Sequence, residues 1–149
     1  MKRLFTVLLA LLIVRFVSAQ APNPVNWTVS YKTLSATEGE ITITALIEKN
    51  WHIYSQKKSD AGLIPTTLQF TPTAQFELVG AAQEFGAREE FDKAFEATVS
   101  SFYDRAEFKQ NIKLKAKAGF EIKLKVEYMC CNDMMCLPPK SIDLSVKTQ

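Results

Sequence analysis

The chain has 149 residues, with 18 Lys and Arg, 16 Asp and Glu and one His, which gives a formal net charge of +2 at neutral pH. Hydrophobic residues make up 47% of the sequence, enough to form the core of one globular domain. The sequence shows no clustered positive excess of the kind that a nucleic-acid-binding face normally has, so we expect no nucleic-acid partner.

The first nineteen residues have the layout of a secretory signal peptide. Lys2 and Arg3 precede an apolar run over residues 4–14, and small residues end the segment at Ala19. We expect cleavage after Ala19 and a single mature domain over residues 20–149, periplasmic or secreted, with no stable membrane anchor. The signal carries three basic and no acidic residues, so the mature chain would have 15 basic against 16 acidic residues.

The rest of the chain alternates between short patterned segments and turns rich in Gly and Pro. Apolar residues recur at every second position, as in Ile41, Ile43 and Ile47, which is typical of half-buried strands. No long amphipathic helix is evident, so the pattern predicts an all-β antiparallel sandwich. The expected strands are Trp27 to Leu34, Gly39 to Ile47, Ile53 to Ser55, Thr67 to Phe70, Phe76 to Gly80, Ala97 to Tyr103, Ala106 to Ala116, Phe120 to Cys130 and Ile142 to Val146.

All three cysteines lie in the stretch "YMCCNDMMCLPP", where an exported protein can keep a disulfide. The alternation of Phe120 to Tyr128 places Cys130 on the core face and Cys131 on the opposite face. Extending Ile142 to Val146 backward gives Cys136 the same face as Cys130. Opposed residues of a hairpin have the Cα spacing that a disulfide accepts. We therefore predict a Cys130–Cys136 bridge, with Cys131 as the odd thiol.

The residues alone leave three roles open for this stretch. The bridge could staple the hairpin of a secreted binding domain, or it could exchange with other thiols and disulfides. The cysteines and the methionines Met129, Met134 and Met135 could instead bind Cu(I), which prefers soft sulfur ligands. Zinc is disfavoured because His52 is distant in sequence and a fourth ligand is missing. No catalytic triad or phosphate-binding loop is present, and we expect no cofactor.

The hairpin resembles that of the N-terminal, immunoglobulin-like domain of the bacterial thiol:disulfide interchange reductase DsbD. That family carries a Tyr-x-x-Cys-x5-Cys-x-Pro-Pro type of hairpin, and the present chain supplies Tyr128, Cys130, Cys136 and the two following prolines. Asp133 lies inside the loop. The resemblance implies an immunoglobulin-like β-sandwich with a redox-active disulfide.

Two further segments resemble the family in the same order along the chain. "KNWHIYSQ" is similar to the family's aromatic strand beside the active site, with His52 and Tyr54 at the matching positions. "REEFDKAF" is similar to its acidic-acidic-phenylalanine cap loop, with Glu89, Glu90 and Phe91 in those places. The resemblance thus adds seven surrounding residues to the cysteine pair, including Tyr128 and Asp133 of the hairpin itself.

The resemblance also implies roles and partners. Cys136 would enter mixed disulfides, Cys130 would resolve them, and Phe91 would shield the pair until a partner displaces it. A thioredoxin-like domain of a membrane reductase and oxidised periplasmic proteins would be the partners. The chain would then be an oxidoreductase component, a redox relay rather than an enzyme acting on a small molecule. It departs from the family at His52 (expected tyrosine), at Leu137 (often aromatic) and at Cys131 (an added thiol).

Overall fold

The computed structural model describes residues 22–93 and 95–149, so the predicted signal peptide lies outside the described residues. Within those residues the chain forms eleven strands, and no helix is long and apolar enough to cross a membrane. The strands are β1 (Val25–Thr33), β2 (Glu38–Ile47), β3 (His52–Tyr54), β4 (Thr67–Phe70), β5 (Phe76–Phe85), β6 (Arg88–Asp92), β7 (Ala97–Tyr103), β8 (Arg105–Leu114), β9 (Glu121–Tyr128), β10 (Cys130–Cys131) and β11 (Lys140–Lys147).

The strands form three antiparallel sheets around one main core. One sheet has the order β1-β2-β8-β5, the second β11-β9-β4, and the third β10-β3-β7-β6. Apolar residues from all three sheets meet in a single buried cluster, so the first sheet forms one layer and the other two form the opposite layer. The predicted all-β, immunoglobulin-like antiparallel sandwich is confirmed.

The apolar residues whose alternation predicted the strands are the residues that form the core. Ile41 and Ile43 of β2, Phe108 of β8, and Ile122 and Val126 of β9 are fully buried, while their sequence neighbours face solvent or the layer edge. Burying each such side chain stabilises the fold by about 1.5 to 3 kcal/mol. A one-residue slip in any of these strands would turn its apolar set outward, which fixes the register.

Strand β5 is longer than predicted. The prediction ended it at Gly80, but the strand continues to Phe85. Gly80 has a φ of +68°, and the pairing with β8 shifts between Val79 and Gln83. Glycine at a positive φ allows a bulge inside a strand, so here it marks a local irregularity rather than the end of the strand.

Residues 88–92 form strand β6, whereas we predicted a cap loop there. β6 is an edge strand that pairs with β7, from Arg88 opposite Ser101 to Asp92 opposite Ala97. In a strand, successive side chains point to opposite faces. Glu90 and Asp92 therefore share one face of this sheet, and Glu89 and Phe91 share the other.

Candidate functional site

The disulfide joins Cys131 to Cys136, with a Cα separation of 4.0 Å, and Cys130 carries a free thiol. The predicted Cys130–Cys136 pairing is therefore wrong. Cys131 and Cys136 face each other as an antiparallel pair. Opposed residues of the hairpin do have the spacing of a disulfide, but the residue opposite Cys136 is Cys131.

The error lies in one of the two extrapolations. Forward from β9, Cys130 does join the main core and Cys131 does face the opposite side, as predicted. Backward from β11, the alternation ends at Lys140, because Pro138 and Pro139 interrupt the pairing. Proline has no N–H to donate to a sheet ladder, so it breaks the regular alternation. Cys136 consequently lies on the face of Cys131.

A tight turn over residues 132–135 holds the two cysteines together. The Asn132 N–H donates to the Met135 carbonyl at 2.9 Å, and the Asn132 Oδ1 accepts from the N–H groups of Met134 and Met135, each at 2.9 Å. Asparagine favours turns because its side chain can satisfy nearby main-chain donors in this way. Asp133 and Met134 project at the turn tip, where Met134 is 93% exposed.

The two bridged cysteines differ in accessibility. Cys131 is 1% exposed and belongs to a second buried cluster, on the outer face of the β10-β3-β7-β6 sheet, whereas Cys136 is half-buried. An incoming thiolate must approach a disulfide sulfur directly, so Cys136 is the accessible target. Members of the second cluster are Tyr54, Leu63, Val99, Met129 and Cys131, with Ile64, Phe95, Ala97 and Cys136 packed against it.

Cys130 faces the other way and is kept unreactive. It lines a cavity of about 310 Å³ together with Tyr128, Leu137 and the two prolines. Burial, and secondarily the negative charge of Glu48, raise the pKa of the Cys130 thiol to about 12, although a hydrogen bond from the His52 main chain partly opposes this. A thiol with that pKa is protonated at neutral pH and is a poor nucleophile.

A chain of polar side chains runs from the disulfide across the outer face of the sheet. His52 lies directly opposite Cys131 in the pairing of β3 with β10. The His52 Nε2 is 3.2 Å from the Tyr54 hydroxyl, which donates to Asp92 Oδ2 at 2.7 Å, and the Nε2 is 3.6 Å from the same Oδ2. The hydroxyl of Tyr103 donates to Glu90 on the same face.

Burial has the largest effect on the pKa values of His52 and Tyr54. It lowers the pKa of His52, although the negative charges of Asp92, Glu90 and Asp133 act in the opposite direction. Burial also raises the pKa of Tyr54, and its hydrogen bond to Asp92 raises it further. At neutral pH the imidazole and the phenol are therefore both uncharged beside the disulfide.

Phe95, and not Phe91, packs against the buried cluster that contains Cys131. Phe95 lies in the turn after β6, contacts the Tyr54 ring edge-on at 5.7 Å between centroids, and packs against the cluster that contains Cys131. Its N–H donates to Asp92 Oδ1 at 3.3 Å. Phe91 is 63% exposed on the opposite face of β6, so its packing does not support the predicted role as a shield.

The other predicted residues divide between the site and elsewhere. His52, Tyr54 and Glu90 lie on the face of the sheet that carries the disulfide. Glu89 forms an exposed ion pair with Lys57 at 3.2 Å, on the side away from that face. Tyr128 belongs to the main core, where its ring packs on Trp27 at 5.2 Å between centroids, and not to the second cluster that contains Cys131.

Sequence reasoning missed three residues of the site: Asp92, Phe95 and Tyr103. Asp92 could have been found by treating residues 88–92 as a strand, because it then shares a face with Glu90. Tyr103 ends a predicted strand, but its place opposite His52 depends on the pairing of β3 with β7. Phe95 had no sequence signal of its own, since its position depends on the turn between β6 and β7.

No metal cluster is present among the described residues, which contain no group of three or more His, Cys, Asp or Glu side chains able to hold an ion. The sulfur donors considered for Cu(I) are also spread apart. Met129 is buried in the second cluster, Met134 and Met135 are exposed at the turn tip, and Cys130 faces the main core. This distribution gives the Cu(I) alternative no support.

The β-sandwich carries a hairpin disulfide with one accessible sulfur and one sulfur that is buried beside titratable groups. These features are typical of thiol-disulfide interchange modules. The family comparison agrees: residues 19–147 match the family described as "Thiol:disulfide interchange protein DsbD, N-terminal". The chain belongs to this family. No curated protein matches the sequence.

Solved structures share the fold. The reduced DsbD N-terminal domain of Neisseria meningitidis is 15% identical, with a TM-score of 0.52 over 80% of this chain and 83% of that one. The DsbD N-terminal domain in complex with the PilB N-terminal domain, also from Neisseria meningitidis, is 13% identical with a TM-score of 0.55 over 88% and 92%. The N-terminal periplasmic domain of ScsB from Proteus mirabilis is 11% identical with a TM-score of 0.60 over 85% and 47%.

Proposed function

We propose that the chain is an exported redox module that passes reducing equivalents through the Cys131–Cys136 pair, to or from thioredoxin-like or other exported partners. The observation that carries this proposal is the asymmetry of the bridge: Cys136 is half-buried in an exposed hairpin, while Cys131 is 1% exposed behind it. A purely structural staple has no need for one accessible sulfur. An exchange site needs one sulfur for attack and a second one that is protected.

The exchange proceeds in two balanced steps. A thiolate of a reduced partner attacks the Cys136 sulfur, the Cys131 sulfur leaves as a thiolate, and a mixed disulfide forms. The partner's second thiolate then attacks its own sulfur in that mixed disulfide and releases Cys136. Two electrons reach the pair, and the partner becomes oxidised. In the reverse direction, Cys136 attacks an oxidised partner and Cys131 resolves the adduct.

Phe95 shields the pair until a partner binds. Its ring packs on the cluster that contains both bridged cysteines, so it limits the approach of small oxidants and reductants to the sulfur atoms. The turn that carries it joins β6 to β7. It contains Glu96 at a φ of +50°, a backbone conformation that residues other than glycine rarely adopt. A docking partner would displace this turn and gain access to Cys136.

The proposed partners follow from the family and from its solved structures. One of these is a complex between a DsbD N-terminal domain and a PilB N-terminal domain, which shows that a related domain binds a second protein. By similarity, we place a thioredoxin-like domain of a membrane reductase on the donor side and oxidised periplasmic proteins on the acceptor side. Removal of residues 1–19 as a signal peptide would deliver the domain to that compartment.

Trapping of the mixed disulfide tests the proposal. A Cys131→Ser variant, mixed with a thioredoxin-like domain whose second cysteine is replaced by serine and whose first is activated as a mixed disulfide with a small thiol, should accumulate a covalent adduct through Cys136, because neither protein retains a resolving thiol. Cys130→Ser is the matched control and should form no stable adduct. The proposal fails if Cys131→Ser gives no adduct, or if peptide mapping places the adduct on Cys130.

A further inference from the structure

We infer that His52 exchanges a proton with Cys131, and that Tyr54 and Asp92 position its ring for this. The inference rests on the proposed function, because it names the group that gives a proton to the Cys131 sulfur, or takes one from it, during disulfide exchange. The resemblance leads us to expect a tyrosine at position 52, and this chain has a histidine there. The proposed proton transfer therefore depends on a residue that distinguishes this chain from the family pattern.

The strand pairing places His52 next to the buried sulfur. Cys131 is directly opposite His52 in the antiparallel pairing of β10 with β3. Side chains of opposed residues point to the same face, with Cβ atoms about 4.5 to 5.5 Å apart. Both are buried, at 1% and 8% exposure. The imidazole and the Cys131 sulfur therefore lie side by side in a place with little water to take up or supply protons.

The hydrogen bonds fix which imidazole nitrogen carries the proton. A carboxylate can only accept, so the Tyr54 hydroxyl gives its hydrogen to Asp92 Oδ2 at 2.7 Å. The Tyr54 oxygen then accepts from the His52 Nε2, 3.2 Å away. The neutral ring consequently holds its proton on Nε2 and leaves Nδ1 as the base. Tyr54 and Asp92 are positioning residues that act through the ring.

Charged and titratable groups surround the ring on each neighbouring element. β6 contributes Asp92 and Glu90, the hairpin contributes Asp133 together with Cys131, and β7 contributes Tyr103, whose ring lies 5.3 Å from that of His52. Three of these are carboxylates, which favour an imidazolium and disfavour a thiolate. A Cys131 thiolate formed here needs a positive neighbour, and His52 is the group that can become one.

The proton balance of each step follows. When a partner thiolate attacks Cys136, the S–S bond breaks and the Cys131 sulfur leaves with the electron pair. His52, neutral in the oxidised protein, then takes up one proton from solvent on Nδ1, and the imidazolium either pairs with this thiolate or passes the proton to it. When the reduced domain resolves a mixed disulfide, Nδ1 takes the proton of the Cys131 thiol, and the resulting thiolate attacks the Cys136 sulfur. No further oxidant or reductant is needed.

The single histidine of the chain makes the test direct. The pH titration of its ring protons, followed by NMR in the wild-type protein, should shift upward by about one pH unit or more when the disulfide is reduced, because a thiolate has come within pairing distance. In Cys131→Ser, which has neither the bridge nor a Cys131 thiolate, the ring should titrate as in the oxidised wild-type protein. Identical titrations in the oxidised and reduced wild-type protein would overturn the inference, and no variant needs to fold for that result.

A kinetic readout separates the inference from the proposed function. We expect His52→Gln to slow disulfide exchange with a thioredoxin-like domain about tenfold at pH 7, and to remove the inflection in the pH profile at the histidine pKa measured by NMR. Exchange in His52→Gln with an unchanged rate and pH profile overturns the role of His52 and leaves the proposed function standing. Absence of exchange in the wild-type protein overturns both.

Discussion

Replacing Phe95 with alanine should open the disulfide to small thiols. Phe95 is half-buried, and its ring meets the Tyr54 ring edge-on at 5.7 Å. A half-buried phenylalanine contributes about 1 to 1.5 kcal/mol, which is half of the value for a fully buried one. The edge-on aromatic pair adds about 0.5 to 1.5 kcal/mol. About 2 kcal/mol therefore holds the turn against the disulfide.

This free energy sets the expected rate change. If a small thiol reaches Cys136 only when the turn is open, loss of about 2 kcal/mol increases the open population about thirtyfold, since 1.4 kcal/mol corresponds to a factor of ten. The rate of disulfide reduction by glutathione at fixed pH should rise by up to that factor. Samples quenched by alkylation and resolved by mass give the rate.

Phe91→Ala is the matched control, because Phe91 is 63% exposed on the opposite face of the same hairpin. It should leave the glutathione rate within about twofold of the wild-type rate. The shielding account would be refuted by an unchanged rate in folded Phe95→Ala, or by an equal acceleration in Phe91→Ala.

Three further variants test the buried groups. Cys130→Ser should retain exchange with a thioredoxin-like domain, and alkylation of the reduced wild-type protein near pH 8 should label Cys136 well before Cys130, whose pKa is about 12; early labelling of Cys130 would contradict this. Because His52 has a pKa below 6.5 in the folded protein, the unfolded state binds more protons below that pH, so the free energy of unfolding should fall as the pH drops below about 6.5. Chemical denaturation should show this loss in the wild type and a smaller one in His52→Gln; equal slopes would contradict it. Tyr54→Phe leaves its hydrogen-bond partners unsatisfied in a buried place and should cost about 1 to 3 kcal/mol by the same measurement; an unchanged stability would show that the hydroxyl is dispensable.

The sandwich was predictable because its strands are buried on one face. In β9 the core residues alternate strictly with polar ones, and in β2 only Leu46 departs from this alternation, so the period alone gives the strands and the direction of each side chain. Strand β6 carries no such signal. It is an edge strand whose five residues include Arg88, Glu89, Glu90 and Asp92, so it has no alternating hydrophobic pattern. Its hydrogen-bonded pairing with β7 makes it a strand, and the sequence does not show this pairing.

The choice between two adjacent cysteines was the harder problem. The family spacing of five residues, counted back from Cys136, reaches Cys130, whereas the Tyr-x-x-Cys spacing counted forward from Tyr128 reaches Cys131. The structure follows the second count, because β9 ends at Tyr128 and the chain changes sheets before Cys130 pairs with Ile53. Periodicity within one strand contains no information about such a change of sheet.

The shielding phenylalanine shows a similar limit. Phe91 follows two acids, as the resemblance predicts for the cap, but the strand formed by these residues turns it toward solvent. Phe95 reaches the disulfide because the turn after β6 folds back over Tyr54 and Leu63. This contact joins residues about thirty positions apart, so only the tertiary structure reveals it.

The reduction potential of the Cys131–Cys136 couple tests the central claim most directly. It can be measured in the Cys130→Ser background, by equilibration with a thioredoxin-like domain of known potential. The account predicts that the two couples reach equilibrium within minutes, at a potential above about −300 mV, since structural disulfides generally lie below that value. A bridge that remains oxidised beside the reduced partner, with a potential below about −300 mV, would identify a structural staple and contradict the account.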